Sequence, residues 1–323
     1  MIDGVLMVIG LIFLIAAANF LVKGASSIAA RFGISPLAVG LTVVSFGTSM
    51  PEMLVTLTAG LQDNADLAIA NVVGSNIANV LLILGVAAII RPLPVRDSTI
   101  VSEIPFSLTA ALLVGFLANA ALFSDHQELS ISRLDGGILL FFFLLFMLYI
   151  WKSSGEGESS RAQVSADVGL APAVFQILSG VVGLYFGGQW VVSGAVGFAQ
   201  TSGVDDALIG LTIIAVGTSA PELVASAVAA YRKETDIAVG NVIGSNIFNL
   251  LWILGFTASI VELPFEVITN TDLVMVIVSS ALILVAMVTS RQSVVMRSHG
   301  VLFLCLYVAY LFYVVNRHVS AVA

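Results

Sequence analysis

Charged residues are scarce in this sequence. Lys, Arg, Asp and Glu make up 10% of its 323 residues, whereas hydrophobic residues make up 59% and the mean hydropathy is +1.08. Because soluble domains carry about 25% charged residues, the composition excludes an ordinary soluble protein and indicates a polytopic membrane protein. The net charge of −8 and the lack of a basic face also exclude a nucleic-acid-binding surface.

Cysteine and histidine are nearly absent. The one cysteine, Cys305, cannot form an internal disulfide and has no companion thiolate for a metal site. The three histidines, His126, His299 and His318, fall in predicted loops or near the C-terminus, so no imidazole lies at membrane depth to assist a serine nucleophile. Gly-x-Ser-x-Gly and His-Glu-x-x-His motifs are missing as well. We therefore expect neither an enzyme nor a protein with a resident cofactor.

Ten apolar stretches are long enough to cross a bilayer, which takes roughly 20 residues of helix. They lie near 4–30, 36–60, 67–90, 104–123, 136–151, 171–199, 206–230, 237–261, 272–290 and 299–316. Backbone amides in lipid must be satisfied within a helix or in a closed barrel with much shorter strands, so we predict an all-α polytopic membrane protein with ten transmembrane helices. Ser35 before Pro36 is predicted to cap the second helix, and Asp66 and Asp236 to cap the third and eighth.

Basic residues concentrate in alternate loops. All twelve Lys and Arg residues except Arg133 and Arg317 lie in loops that follow odd-numbered spans. Cytoplasmic loops carry an excess of Lys and Arg, so we predict that the odd loops are cytoplasmic and that both termini are outside. The polar segment 153–170 is then a flexible cytoplasmic linker. The sequence indicates the lipid bilayer as the surroundings and carries no signal for a protein partner.

One internal repeat organises the chain. Residues 40–90 align with 210–260 at a shift of 170 without a gap, and 24 of the 51 positions are identical. Five predicted spans separate the starts of the two copies, so the second copy enters the membrane from the opposite face. Inverted repeats of this kind are typical of secondary transporters. We predict two inverted five-helix repeats, 1–152 and 171–323, with cores at 36–90 and 206–260.

Each copy of the repeat contains the hexapeptide Gly-Thr-Ser-x-Pro-Glu, at 47–52 and 217–222. Pro51 and Pro221 lack an amide hydrogen and crowd the carbonyl four residues earlier, so carbonyls of 45–48 and 215–218 become available as oxygen ligands. The Thr and Ser of each hexapeptide lie within one helical turn of its Glu. A second motif in each copy, Asn-Val-x-Gly-Ser-Asn-Ile-x-Asn, adds amides and hydroxyls at a spacing of four. These side chains are Thr48, Ser49 and Glu52 with Asn71, Ser75 and Asn79, and Thr218, Ser219 and Glu222 with Asn241, Ser245 and Asn249.

Glu52 and Glu222 need neutralisation, because each carboxylate in hydrocarbon costs about several kcal/mol and no basic residue is predicted at their depth. Protons or bound cations remain. An all-oxygen site suits hard ions such as Ca²⁺ and Na⁺ and is poor for Zn²⁺, and charge matching favours one divalent ion shared by both Glu side chains. The hydroxyls can instead bond back to their own helices, and Asn79 and Asn249 can join helices rather than bind ions. We expect Asn71, Asn76, Asn241 and Asn246 to join helices.

The paired motifs resemble the α-repeats of the cation/calcium antiporter superfamily, and prokaryotic sodium/calcium exchangers in particular. The resemblance implies Ca²⁺/Na⁺ antiport by alternating access in a prokaryotic plasma membrane, with the first and sixth helices sliding across the core. It implies that Glu52 and Glu222 bind Ca²⁺ together with the carbonyls of Thr48 and Thr218. It also implies sodium sites built from Thr48, Ser49, Ser75, Thr218, Ser219 and Ser245 with carbonyls near Ser45 and Ala215.

Asn249 departs from the family pattern. Some sodium-coupled members have Asp at this position, whereas Asn79 and Asn249 are both neutral here. The lower negative charge keeps H⁺-coupled Ca²⁺ antiport as an alternative with the same site. A cation channel, which also needs carboxylates in the membrane, is the alternative from another class, although two inverted, non-identical halves favour a carrier.

Overall fold

The computed structural model describes residues 2–95, 97–120, 129–153, 169–201, 215–264, 270–290 and 293–322. Nearly all of these residues are helical. In chain order the helices are α1 (Ile2–Phe32), α2 (Pro36–Thr48), α3 (Met50–Leu61), α4 (Ala65–Ile90), α5 (Asp97–Val101), α6 (Glu103–Ala118), α7 (Arg133–Ser153), α8 (Leu170–Thr201), α9 (Ala215–Thr218), α10 (Ala220–Tyr231), α11 (Thr235–Ile260), α12 (Asn270–Thr289) and α13 (Arg297–Val322).

The described helices confirm a nearly all-helical membrane protein. Eight of them are long and apolar enough to cross a membrane, and the count rises to nine if the bent pair α2 and α3 forms one span. The predicted seventh span, 206–230, starts outside the described residues, and most of the linker 153–170 lies outside them too. The full set of ten helices therefore stays a prediction.

Helices α4 and α11 form the centre of the molecule. Buried residues make up 94% of the most apolar window of α11 and 72% of that of α4, but 33% in α1 and 28% in α8. Helix α11 packs against α2, and α1 packs along α8 at the periphery. The peripheral helices expose apolar side chains, as lipid-facing helices do. The two most buried helices are the ones that carry the second motif of each repeat.

Three of the described helices contain a π-helical segment. These segments are Gly40–Val44 in α2, Asn79–Leu84 in α4 and Phe248–Ile253 in α11. An extra residue in a helical turn re-aims the side chains that follow and often marks a functional position. Two candidate ligands, Asn79 and Asn249, lie in such segments.

Helix caps agree only in part with the prediction. Ser35 caps α2 as expected, with its hydroxyl 3.1 Å from the amide of Ala38. The prediction for Asp66 and Asp236 was wrong, because α4 and α11 start one residue before each acid. Asn64 caps α4 through the amide of Leu67, and Glu234 occupies the N-cap of α11 without a side-chain capping bond. Asp66 and Asp236 lie instead in the first turn, where a carboxylate interacts favourably with the helix dipole.

Short strand pairs join loops at both ends of α11. Strand β1 (Leu93–Pro94) pairs antiparallel with β4 (Val294–Val295), and β2 (Ser130–Ile131) pairs antiparallel with β3 (Leu263–Pro264). The Nε of Arg91, just after α4, donates to the carbonyl of Ala230, just before α11. Helix α4 thus ends where α11 begins, and β3 follows the other end of α11. Which end faces the cytoplasm stays a prediction.

Candidate cation-binding site

Both hexapeptides break their helix at the serine. Ser49 has φ −82° and ψ 9° between α2 and α3, and Ser219 has φ −87° and ψ 8° between α9 and α10. The first break bends the chain by 49°. A proline follows two residues later in each copy and cannot donate to the preceding turn. The predicted proline break is therefore present in both copies, and it places Glu52 and Glu222 in the first turn of a new helix.

The two carboxylates lie buried between the repeats. Glu52 and Glu222 are each 1% exposed. The hydroxyl of Ser219 donates to Oε1 of Glu52 at 3.2 Å, and the hydroxyl of Ser49 donates to Oε1 of Glu222 at 3.0 Å. Each hexapeptide thus binds the carboxylate of the other one, and the two copies interlock reciprocally.

The threonines cross between the repeats in the same way. The Thr48 hydroxyl donates to Oδ1 of Asn241 at 3.1 Å, and the Thr218 hydroxyl donates to Oδ1 of Asn71 at 3.5 Å. Thr48 is also 3.3 Å from the carbonyl of Ser45 in its own helix. The two threonine hydroxyls therefore do not bond only to carbonyls of their own helices, as one interpretation of the sequence allowed.

Asn71 and Asn241 hold the backbone of the two Glu residues. The Nδ2 of Asn71 donates to the carbonyl of Glu52 at 3.2 Å and to the hydroxyl of Thr56 at 2.9 Å. In the other copy, the Nδ2 of Asn241 donates to the carbonyl of Glu222 at 3.4 Å and to the Ser226 hydroxyl at 2.9 Å. Both asparagines join helices, as expected.

Thr56 and Ser226 are members of this network that sequence reasoning missed. They lie 170 residues apart, like the motif residues, and both carry a hydroxyl. The repeat was read from identical residues, so a Thr aligned with a Ser did not stand out. Aligning the copies by hydrogen-bonding capacity instead of identity would have found the pair.

Six buried oxygens of the site make no hydrogen bond within the described part of the chain. They form three pairs of repeat-equivalent atoms: Oε2 of Glu52 and Glu222, Oγ of Ser75 and Ser245, and Oδ1 of Asn79 and Asn249. Buried polar atoms normally have a partner, and each one left without a partner costs about 1–3 kcal/mol. Carboxylate, hydroxyl and amide oxygens are the donors that Ca²⁺ and Na⁺ prefer. This oxygen set fits a hard cation.

The two remaining amide candidates differ from each other. The Nδ2 of Asn79 donates to Oδ1 of Asn246 at 3.0 Å, which joins α4 to α11 and still leaves Oδ1 of Asn79 for another contact. Asn249 is equally buried, and the structure gives it no such bridge among the described residues. Asn76 bonds instead to the carbonyl of Val72 in its own helix, so the expectation that it joins helices was wrong.

Ser45 and Ala215 each lie four residues before the helix break of their copy, at Ser49 and Ser219. The Ser45 hydroxyl donates to the carbonyl of Gly40 at 2.7 Å and to that of Asn241 at 3.0 Å. The Ser45 carbonyl accepts from the amide of Ser49 at 3.0 Å, so it would bind an ion in addition to that bond. Ala215 is the first residue of α9, and its side chain lies outside the described part.

A narrow apolar crevice adjoins Ser49. It is lined by Phe46, Met50, Met53, Phe248, Trp252 and Ile253. Neither carboxylate contacts a basic side chain among the described residues, and the hydrogen bonds that they accept come from serine hydroxyls. The site is therefore a water-poor pair of carboxylates whose charge needs cations or protons for compensation.

Comparison with known proteins identifies relatives along almost the whole chain. Residues 3–152 and 172–316 match the family model for sodium/calcium exchanger protein. The putative antiporter CaxA of Alkalimonas amylolytica is 36% identical, over 95% of this chain and 96% of that protein. Sodium/calcium exchanger MaX1 of Methanosarcina acetivorans is 31% identical over 95% and 96%. A structure of the sodium-calcium exchanger NCX_Mj soaked with Na⁺ and Sr²⁺ superposes with a TM-score of 0.79 at 30% identity, covering 95% of this chain and 96% of that one.

Proposed function

The chain belongs to the sodium/calcium exchanger family, and on this premise we propose that it exchanges Ca²⁺ for Na⁺ across the membrane by alternating access, with Glu52 and Glu222 sharing the Ca²⁺. The family and the fold are those of transporters rather than enzymes. The observation that carries the proposal is the reciprocal pair of hydrogen bonds from Ser49 to Glu222 and from Ser219 to Glu52.

The reciprocal bonds orient the carboxylates for one shared ion. One oxygen of each Glu is held by a serine, and the second oxygen, Oε2, has no protein partner among the described residues. Two carboxylates carry a charge of −2, which a divalent cation neutralises completely. Ca²⁺ accepts flexible sets of oxygen ligands, whereas Mg²⁺ demands a rigid octahedron and loses its water reluctantly. Carbonyls of Thr48 and Thr218 complete the proposed Ca²⁺ site.

Sodium would occupy the oxygens around the same centre. We assign to the Na⁺ sites the hydroxyls of Thr48, Ser49, Ser75, Thr218, Ser219 and Ser245 and carbonyls near Ser45 and Ala215, with the amide oxygens of Asn79 and Asn249 as further ligands. The Ser75 and Ser245 hydroxyls and the two Asn oxygens are buried and make no hydrogen bond in the described part. Na⁺ and Ca²⁺ would then compete for one set of carboxylates, which is how a single site couples two ions.

Alternating access requires two halves that can exchange conformations. We propose two inverted five-helix repeats, 1–152 and 171–323, with cores at 36–90 and 206–260 joined by the 153–170 linker. The contact between Arg91 and Ala230 supports the inversion, because it brings the end of α4 to the beginning of α11. The crossed hydrogen bonds support it as well, since they relate the two cores by exchange of equivalent residues. Relatives from a bacterium and an archaeon favour the prokaryotic plasma membrane as the location.

Proton coupling is the second candidate, and Asn249 favours it. With Asn79 and Asn249 neutral, Glu52 and Glu222 are the two carboxylates of the described site. Protons can neutralise them in place of Na⁺. The Ca²⁺-binding half of the cycle would then stay the same.

The deciding experiment measures Ca²⁺ flux in proteoliposomes under imposed ion gradients. We expect an outward-directed Na⁺ gradient to drive Ca²⁺ uptake at constant pH, because both ions use the same oxygens. Flux that ignores the Na⁺ gradient and follows a pH gradient would move the coupling ion to H⁺. Ca²⁺ flux without counter-transport of any ion would point to a channel and contradict the antiport proposal.

Single Glu substitutions test the shared site. We expect Glu52→Gln and Glu222→Gln each to reduce Ca²⁺ flux to the level of protein-free liposomes, because one carboxylate cannot neutralise a divalent ion in this buried site. Gln keeps the oxygen that accepts the serine hydrogen bond, so size-exclusion profiles should remain those of the folded protein. Glu262→Gln, at an exposed position beside β3, is the matched control. Wild-type flux in either site variant would refute sharing.

A further inference from the structure

A further buried carboxylate lies outside both hexapeptides. Glu103 is the first residue of α6 and is 4% exposed. Its Oε1 accepts a hydrogen bond from the hydroxyl of Tyr149 on α7 at 3.0 Å. Its Oε2 has no partner in the described part of the chain. A charged group in this position is expensive unless another group compensates it.

Two hydroxyls lie close to this carboxylate in the sequence. Ser107 follows Glu103 by four residues in α6, a spacing that places both side chains on one helical face, whereas Thr99 lies on α5, which a turn at Ser102 separates from α6. Both residues are 1% exposed, and neither hydroxyl makes a hydrogen bond to a described residue. The Thr99 hydroxyl lies beside the Glu103 carboxylate. Three buried oxygens without a partner among the described residues, Oε2 of Glu103 and the hydroxyls of Thr99 and Ser107, thus belong to the start of α6 and the turn before it.

The second half of the chain contains an analogous group whose charge is compensated. Asp272 lies in the first turn of α12 and accepts a hydrogen bond from the hydroxyl of Tyr310 on α13 at 3.1 Å. The guanidinium of Arg317 then pairs with the other Asp272 oxygen at 2.9 Å. Acid, tyrosine and cation form a complete group there. The Glu103 group has the acid and the tyrosine, but its second oxygen has no basic partner among the described residues.

We propose that Glu103, Thr99 and Ser107 bind one alkali-metal cation, Na⁺ or K⁺, with Tyr149 orienting the carboxylate. One carboxylate with neutral hydroxyls carries a charge of −1, which a monovalent cation neutralises, whereas a divalent ion would leave a net charge in a buried place. Hard oxygen donors suit alkali ions. The site lies at the end of α6 that follows β1 in the chain. It does not depend on the proposed exchange function.

The test uses the full-length protein in detergent with Glu52→Gln and Glu222→Gln, so that the central site no longer binds ions. Its unfolding temperature is measured in NaCl, KCl and choline chloride at equal ionic strength. A ligand that binds only the folded state stabilises it, so we expect a rise of roughly 2–4 °C in NaCl or KCl relative to choline. The two alkali salts tell which ion is preferred.

Added substitutions locate the ion. Glu103→Gln should abolish the alkali-ion response and still accept the Tyr149 hydrogen bond. Ser107→Ala should weaken the response, and Ser280→Ala is the matched control, because Ser280 on α12 is an equally buried serine with an unpartnered hydroxyl among the described residues.

Equal unfolding temperatures in all three salts would overturn the proposal. A response to pH alone would identify a bound proton at Glu103 and would overturn it too. An alkali-ion response that survives Glu103→Gln, or one that Ser280→Ala removes as strongly as Ser107→Ala, would place the ion elsewhere. Failure of the flux experiment would not touch these outcomes, because the central site is already disabled in this background.

Discussion

Asn79 and Asn249 are equivalent residues of the two repeats, yet their amides have different neighbours. The Nδ2 of Asn79 donates to Oδ1 of Asn246, and this hydrogen bond joins α4 to α11. For Asn249 the structure gives no such donor contact among the described residues, and its Oδ1 is one of the six unpartnered oxygens of the site. The charge of the site can therefore be changed at Asn249 without breaking any bridge that the described residues form.

We expect Asn249→Asp to increase the apparent affinity for Na⁺ several-fold, because a third carboxylate adds negative charge to a buried oxygen site. Inhibition of Ca²⁺ flux by Na⁺ on the side of uptake measures the change. Asn79→Asp is the control: it adds the same charge but turns a donor into an acceptor facing Oδ1 of Asn246. It should lower stability by about 1–3 kcal/mol, seen as a lower unfolding temperature. Equal stability loss in both variants would contradict the difference between the two amides.

Helix α11 crosses α2 with almost no space between the backbones. A Cβ on Gly244 would lie 2.6 Å from the carbonyl oxygen of Leu41 and 2.8 Å from its Cα. Gly74 is the repeat-equivalent residue of α4, and a Cβ there would meet no atom of the described residues within 4 Å. The sequence around both glycines is Gly-Ser-Asn-Ile, so the local sequence does not distinguish them. Among the described residues, the tight crossing exists at Gly244 and not at Gly74.

Alanine substitutions should separate these two glycines. Gly244→Ala pushes against backbone atoms of α2, and we expect it to destabilise the protein by about 1–3 kcal/mol. At Gly74 the added Cβ meets no described residue. Gly74→Ala should therefore be neutral or stabilising by up to about 1 kcal/mol, since Ala favours a helix more than Gly does. Thermal unfolding in detergent measures both. The same loss of stability in the two variants would show that α4 is as closely packed at Gly74 as α11 is at Gly244.

The described loops of the molecule form two groups, one at each end of α11. The β1–β4 pair and the contact of Arg91 with Ala230 gather loops at one end of α11, and the β2–β3 pair joins loops at the other end. This grouping matches the alternation of basic loops in the sequence. The distribution of Lys and Arg predicts that the β1–β4 end is cytoplasmic.

Cysteine labelling tests this orientation with a matched pair. Leu61 and Tyr231 end α3 and α10, lie 170 residues apart and are 59% and 78% exposed. In a Cys305→Ser background, we expect a membrane-impermeant thiol reagent to label Leu61→Cys in intact cells and Tyr231→Cys only after permeabilisation. Labelling of both from one side would contradict the inverted repeat. The opposite pattern would reverse the predicted orientation.

Much of the architecture follows from the sequence, because hydrophobicity, helix period and proline act over short distances. Apolar runs located the helices that the structure describes, and the second span ends within one residue of its prediction. Pro51 and Pro221 located the breaks, since a missing amide hydrogen acts on the preceding turn. The alignment of 40–90 with 210–260 at a constant shift of 170 also identified Glu52 and Glu222 as equivalent residues.

Tertiary structure alone decided which groups meet. Helical spacing put Ser49 beside Glu52, yet Ser49 binds Glu222, and Thr48 binds Asn241 across the repeats. The identical motifs also gave no sign that Gly244 is in close contact with another helix while Gly74 contacts none among the described residues. This difference depends on how closely a neighbouring helix passes. The physical reason is common to these cases: spacing along a chain determines relations within one helix, whereas contacts between segments far apart in sequence depend on how those helices pack.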